Sequence, residues 1–106
     1  MPRYLFTGSY TVEGLKGVLK EGGTGRKKAV EAAVKAMGGH LEAYYFAFGD
    51  DDVVAIADVP DNVTALALSM GIAATGTVRV KTTVLLTPEE VDAATKKTLS
   101  FRAAGQ

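Results

Sequence analysis

The chain contains no cysteine, one histidine and three prolines among its 106 residues. The absence of cysteine excludes disulfides, thiolate nucleophiles and zinc or iron–sulfur sites built on sulfur ligands. The single histidine, His40, would have to carry any haem or metal site alone, so neither a metal nor another cofactor is expected. Stability must therefore come from packing.

An excess of charge of either sign and a long apolar run are also absent. Twelve basic and twelve acidic residues balance, so no overall field draws the chain to nucleic acid or to an anionic membrane. No apolar run approaches membrane-spanning length and no signal peptide is visible, which favours a cytoplasmic location. A length of 106 residues suits a single domain, expected over residues 1–106.

The first half of the chain reads as a strand followed by helical segments. Tyr4–Ser9 carries apolar side chains at both odd and even positions, and therefore on both faces of a strand, as buried strands do. A short, bent helix follows, which the run EGGTG interrupts. Thr24 is a good N-cap for a second helical segment, and Gly38 supplies the glycine expected at its end.

The second half predicts a hairpin, a helix and a further strand. Leu41–Phe48 and Val53–Val59 are strand-like runs separated by a few turn residues. Apolar residues at helical spacing then indicate a helix with a stripe formed by Val63, Leu66, Ala67 and Met70. Thr77–Leu86 alternates as a strand, and Thr87 begins a short C-terminal helix with a capping box. The order predicts an α+β, ferredoxin-like βαββαβ fold with a four-stranded antiparallel sheet.

Both faces of the predicted hairpin are apolar, although two helices cover only one face of such a sheet. Strict alternation along the first strand of the hairpin would place Leu41, Ala43, Tyr45 and Ala47 on one face. It would place Tyr44, Phe46 and Phe48 on the other face. A monomer would leave one of these faces in water, so a second copy of the sheet is expected to cover it. The sequence therefore predicts a homodimer or a larger homo-oligomer.

Three stretches together resemble the GYD-domain family, which is named for a Gly-x-Tyr-Asp element. These stretches are YLFTGSYTVEGLKG, the helix end GGH, and YYFAFGDDDVVAIADVPDN. The resemblance runs from about Tyr4 to Glu90 and implies a dimeric α+β barrel of largely uncharacterised function. Gly49 and Asp52 match the glycine and aspartate of the element, whereas Asp51 stands where the family has its tyrosine.

The acidic triplet that ends at Asp52 allows two interpretations. Gly49 and Asp50 suit a two-residue type II′ turn, which makes the carboxylates the polar tip of a hairpin. Asp51 and Asp52 would point to opposite faces of a strand, which argues against a shared metal ion. Asp52 is the member of the triplet with a possible functional role. It could act as a general base or hydrogen-bond acceptor at the mouth of a pocket, or it could cap a backbone N–H.

The remaining candidate site residues are basic or aromatic. Arg26, with Lys27 and Lys28, places cations in an expected first helical turn, where the macrodipole disfavours them and where EGGTG offers free N–H groups to an anion. The alternative is a solvated basic face paired with Glu21 or Glu31. The tyrosines Tyr10, Tyr44 and Tyr45 are expected to line a ligand pocket or to pack in the core or an interface. His40, at a strand entrance, is a further candidate for ligand contact.

Three functions fit these features. The first is a small-molecule-binding or accessory module whose aromatic-lined cleft takes an apolar or anionic ligand and is polarised by groups such as Asp52. The second is a cofactor-independent oxygenase or isomerase-like enzyme, by analogy of fold alone. The third is a purely structural oligomer subunit. Because no paired acids, catalytic triad or metal-ligand cluster is visible in the sequence, the binding module is favoured.

Overall fold

A computed structural model describes residues 1–106 as four strands and three helices. In chain order these are β1 (Arg3–Tyr10), α1 (Val12–Ala36), β2 (His40–Phe46), β3 (Val53–Asp58), α2 (Asn62–Ala73), β4 (Val78–Leu85) and α3 (Pro88–Thr95). The strands form one antiparallel sheet in the order β2-β3-β1-β4. The ferredoxin-like α+β fold predicted from the sequence is therefore confirmed.

The core lies between one face of the sheet and the helices α1 and α2. Its buried residues come from β1 to β3 and from both helices; they are Tyr4, Val34, Leu41, Ala55, Ala57, Val59, Ala65 and Leu68. The Tyr4 hydroxyl donates a hydrogen bond to the Asn62 side chain at the start of α2. This bond satisfies the polar tip of a fully buried ring and ties the first turn of α2 to β1.

Helix α1 consists of two helical segments joined at a kink, as the sequence predicts, but the predicted cap at Thr24 is wrong. Thr11 caps the helix by accepting the Gly14 N–H, and the helical path is broken only at Gly22, where φ is 82° and ψ is 166°. The break lies within EGGTG, as expected, and it occurs at a glycine because glycine tolerates a positive φ most readily. Gly38, with φ of 82°, follows the helix end as predicted.

The apolar stripe predicted for α2 faces outward, which corrects the sequence interpretation. Val63, Leu66 and Met70 are exposed, whereas Ala65 and Leu68 are buried. Because α2 is apolar around most of its circumference, spacing alone did not identify the inner face. The Asp61 cap, together with the Tyr4 bond described above, fixes the start of the helix.

The hairpin is confirmed, but its turn is longer than predicted. β2 ends at Phe46, and the loop that follows is closed by a bond of 2.9 Å from the Ala47 N–H to the Asp52 carbonyl. The two-residue Gly49-Asp50 turn is therefore wrong. Gly49 nevertheless has a φ of 109°, so a positive φ at this residue is confirmed.

A β-bulge in β2 changes which side chains share a face. The register shifts between Leu41 and Ala43, where β2 pairs with β3. Leu41 consequently lies on the helix-covered face with Tyr44 and Phe46, whereas Tyr45 lies on the open face. Strict alternation grouped Leu41 with Tyr45, and this grouping is wrong because a bulge adds one residue to one strand.

The open face of the sheet and the C-terminal segment have no cover within the chain. The radius of gyration is 17.0 Å, against about 13 Å for a compact domain of this length. The excess arises because the segment from Leu86 to Gln106, including α3, is exposed along its whole length. None of the helices is both long enough and apolar enough to cross a membrane.

Gly14 marks the closest approach of α1 to the sheet end and gives a test of the fold. A Cβ on Gly14 would lie 1.8 Å from the Thr77 carbonyl oxygen, whereas a Cβ on Gly17 would meet nothing within 4 Å. Gly14→Ala should therefore lower the free energy of unfolding by about 1–3 kcal/mol. Gly17→Ala, the matched control in the same helix, should raise it by about 0.5–1 kcal/mol. Urea denaturation measures both, and equal shifts would contradict this packing.

Candidate functional site

The junction between β1 and α1 is held by the acidic loop of the hairpin. Asp52 accepts the Tyr10 N–H through its carboxylate at 2.8 Å, and its own N–H donates to the Gly8 carbonyl at 2.7 Å. The Ser9 hydroxyl donates to the Asp50 carbonyl at 2.6 Å. The Asp52 carboxylate therefore caps the Tyr10 N–H, which lies beyond the end of the β1–β3 ladder. Capping a backbone N–H was one of the two roles that the sequence allowed for Asp52.

A second loop holds the other side of the same junction. The Thr11 N–H donates to the Thr77 carbonyl at 2.9 Å, and the Thr11 hydroxyl donates to the Gly76 carbonyl at 2.8 Å. Gly14 is buried against Thr77, where no side chain fits. These contacts fix the direction in which the chain leaves β1, and thereby the position of the Tyr10 ring.

The Tyr10 ring lines a cavity of about 70 Å³ between the sheet and the helices α1 and α2. Thirteen of its sixteen lining residues are hydrophobic, and the side chains at its centre are small. The lining is Phe6, Thr7, Gly8, Tyr10, Arg26, Val30, Val34, Leu41, Tyr44, Val53, Ala55, Ala57, Leu68, Ile72, Val78 and Val80. An apolar lining with a few polar groups is typical of small-molecule sites, whose volume is usually about 300–1,000 Å³, so this cavity alone suits only a small ligand or part of a larger one.

A polar groove of about 360 Å³ adjoins this cavity. The groove and the cavity share Tyr10, Arg26 and Ile72, so these residues stand at the boundary between the two. Arg26 donates from Nη1 to Glu21 Oε2 at 3.2 Å. Glu21 lines only the groove, so the carboxylate lies on the solvent side of the guanidinium.

The Tyr44 hydroxyl near Arg26 is a protonated donor. Burial raises the pKa of the Tyr44 phenol, and the neighbouring Tyr10 hydroxyl raises it further, while the Arg26 charge acts weakly in the opposite direction. The pKa of Arg26 is also raised, by Glu21 and by Tyr10 against the opposing effect of burial. At neutral pH this end of the cavity therefore presents a guanidinium and a neutral phenol, and Tyr44 does not act as a base.

The structure brings together three of the six predicted ligand-binding residues. Tyr10, Arg26 and Tyr44 all line the cavity; Tyr10 and Arg26 stand at its boundary with the groove, and Tyr44 lies on the cavity side only. Asp52 does not line the cavity and acts on it only through the Tyr10 backbone. Tyr45 is exposed on the open face of the sheet, because the bulge in β2 moved it there.

His40 lies at the far end of the sheet from Tyr10. It is exposed beside Glu42, with Nε2 3.6 Å from Oε1, and Glu42 also contacts Arg3 at 3.5 Å. No three carboxylate or imidazole side chains are grouped so as to hold a metal ion. His40 is thus part of a charged rim of the sheet and is remote from the cavity.

Sequence reasoning missed several lining residues and the partner of Arg26. Ala55 and Ala57 line the cavity with small side chains, and their alternation along β3 was the available signal. Gly8 also lines the cavity, but the Val53 and Val78 side chains occupy the space beside it. Glu21 was named only as a counter-ion for a solvated face. The position of Glu21 beside Arg26 depends on the kink at Gly22, and the spacing of residues in the sequence does not reveal that kink.

These features define a ferredoxin-like α+β domain with a cavity between its sheet and its helices. The GYD domain family model matches residues 4–95 of the chain. The chain therefore belongs to the GYD domain family, as the sequence resemblance indicated. No curated protein and no solved structure matches it.

The role of Asp52 can be tested by removing its carboxylate. Asp52→Ala leaves the Tyr10 N–H without its acceptor, so the free energy of unfolding should fall by about 1–3 kcal/mol. Asp50→Ala is the matched control, because the Asp50 side chain is exposed and only its backbone carbonyl is bonded. The control should change stability by less than about 0.5 kcal/mol in urea denaturation. Equal stability of the two variants would show that Asp52 does not hold the junction.

Proposed function

We propose that the chain binds a small molecule in the cavity between its sheet and its helices, as a binding or accessory module. The observation that supports the proposal best is the composition of the cavity. Of its thirteen hydrophobic residues, eleven form apolar walls, and the other two, Tyr10 and Tyr44, form the polar end together with Arg26. Apolar walls supply affinity through burial, and a few polar groups at one end orient the ligand.

The geometry favours binding over catalysis. The cavity lining contains no histidine and no carboxylate. Asp52, the favoured candidate base, is occupied by the Tyr10 N–H, and His40 lies on the charged rim described above. A proton-abstracting enzyme needs a titrating group within reach of its substrate. The binding module is therefore preferred to an oxygenase or isomerase-like enzyme.

Filling the cavity tests the proposed function. The neutral dye phenylnaphthylamine is larger than the cavity alone and would extend into the adjoining groove. It should bind the wild-type protein with increased fluorescence, and Val30→Phe should weaken this binding by about tenfold or more, because the ring occupies apolar volume that the dye needs. Val12→Phe, an exposed substitution in the same helix, is the matched control and should leave binding unchanged. Val80→Phe fills the cavity from the sheet side and should reproduce the loss if Val30→Phe folds poorly. Dye binding that neither cavity substitution weakens would refute the site.

We further propose that the open face of the sheet is covered by a second copy of the chain, which makes a dimeric α+β barrel. Leu5, Val54 and Ile56 form a half-buried apolar band on this face, and Tyr45 extends it. Charged groups of both signs flank the band. Arg3 and Asp58 lie 2.8 Å apart at one end, and Lys81 and Asp51 lie 3.6 Å apart at the other. An apolar centre with a mixed-charge rim is suited to a protein interface.

The C-terminal segment supports the same assembly. Helix α3 has a complete capping box at Thr87 and Glu90, yet none of its residues is buried. The side chains of Val91, Leu99 and Phe101 are exposed beyond the body of the domain. An isolated helix of eight residues is marginal in water, so a partner surface is the expected source of its stability. The cytoplasmic location expected from the sequence stays a prediction.

Sedimentation velocity tests the assembly at micromolar concentration. The wild-type protein should sediment as a dimer or larger species, and Ile56→Lys should yield single chains because it places a charge in the apolar band. Leu66→Lys, which changes an exposed apolar residue of α2, is the control and should leave the assembly intact. A wild-type protein that sediments only as a single chain would contradict the proposal.

A further inference from the structure

The polar end of the cavity is built from hydrogen-bond donors without a carboxylate of its own. A guanidinium has five N–H donors and no acceptor, and a protonated phenol can donate one hydrogen bond. Arg26 and Tyr10 stand at the boundary with the groove, Tyr44 lies on the cavity side, and no acidic residue lines the cavity. The complementary ligand group is therefore an acceptor, and one with negative charge matches the guanidinium best.

Arg26 already holds one anion, the carboxylate of Glu21, but the contact is weak. It consists of one hydrogen bond of 3.2 Å from Nη1, and the Glu21 side chain is 47% exposed. Pairs at such exposure contribute about 0–1 kcal/mol, and a single bond leaves most donors of the guanidinium available. Glu21 is thus an exchangeable counter-ion on the solvent side of Arg26.

The kink in α1 explains how these two residues meet. Residues five apart lie about 140° apart around a straight α-helix, so their side chains diverge. Gly22, the non-helical residue of α1, lies between Glu21 and Arg26 and redirects the chain. The broken helix therefore places a carboxylate over a cation that faces the cavity.

On the basis of the proposed binding function, we infer that the cavity takes an apolar or aromatic molecule bearing one carboxylate or sulfonate, which displaces Glu21 from Arg26. The apolar body lies among the residues between the sheet and the helices, and the anionic group lies at the boundary with the groove. Tyr44 donates to the anion from the buried side. Its phenol remains protonated at neutral pH because its pKa is raised by burial.

Two dyes with the same apolar body separate the anion site from the cavity itself. Anilinonaphthalenesulfonate carries a sulfonate that phenylnaphthylamine lacks. Arg26→Gln should weaken sulfonate dye binding by about tenfold or more and change binding of the neutral dye by less than about twofold. Lys27→Gln removes a neighbouring exposed cation and, as the control for net charge, should leave both affinities unchanged.

The counter-ion role of Glu21 predicts a change in the opposite direction. Glu21→Gln should strengthen binding of the sulfonate dye by about threefold, because the ligand no longer competes with a carboxylate. It should leave binding of the neutral dye unchanged. In the double variant with Arg26→Gln, the gain should disappear, because Glu21 acts only through Arg26.

The outcomes distinguish this inference from the proposed function on which it rests. If the neutral dye binds in the cavity but the sulfonate dye responds equally to Arg26→Gln and Lys27→Gln, the anion site is refuted and the binding function stands. If Glu21→Gln weakens binding of the sulfonate dye, the displacement of Glu21 is refuted. If neither dye binds, or if Val30→Phe weakens the binding of neither dye, both the cavity site and the anion site are refuted.

Discussion

The junction between β1 and α1 is the constraint on which the rest of the structure depends. The hairpin loop holds one side of this junction through the Asp52 carboxylate at the Tyr10 N–H. The loop before β4 holds the other side through the Thr77 carbonyl at the Thr11 N–H. Because Gly14 has no Cβ, α1 approaches that carbonyl closely and starts at the end of the central strand β1. Three segments distant in sequence thus determine where the first helix lies and where the Tyr10 ring points.

The cavity follows from this placement and from the size of the side chains beneath it. Ala55 and Ala57 lie on the central strand β3 and leave space that the helices do not fill. The larger rings of Phe6 and Tyr44 stand around this space. A packed interior ordinarily excludes such a void because apolar groups lose contacts across it. The cost is offset when a ligand supplies those contacts, which is the physical reason for placing the ligand there.

The sequence predicted features that local chemistry determines. The capping box at Thr87, the glycine after α1, the hairpin and the order of elements are all confirmed, because each depends on residues close in sequence. The sequence predictions were wrong where contacts between residues distant in sequence determine which face of an element is buried. The bulge in β2 exchanged the faces expected for Leu41 and Tyr45, and the apolar circumference of α2 concealed its buried side.

The candidate site was predictable only in part for the same reason. Tyr10, Tyr44 and Arg26 were selected by residue type, and the fold brings them together in the lining of the cavity. The partner of Asp52 lies forty-two positions away in sequence, and no local pattern indicates such a contact. The apparent violation at Arg26, a cation early in a helix, is explained by the kink at Gly22, which supplies the Glu21 carboxylate as its partner.

The element that names the family acts here through the backbone conformation of Gly49 and the carboxylate of Asp52, which accounts for the tolerance of aspartate at its tyrosine position. Gly49 is needed for its φ of 109°, and Asp52 for the acceptor that it offers to Tyr10. Asp51 contributes an ion pair of 3.6 Å with a largely exposed Lys81, an interaction worth about 0–1 kcal/mol. The attachment of the loop to β1 does not depend on that pair. A different side chain at this position therefore leaves the Tyr10 ring in place, and the cavity on the other side of the sheet keeps its shape.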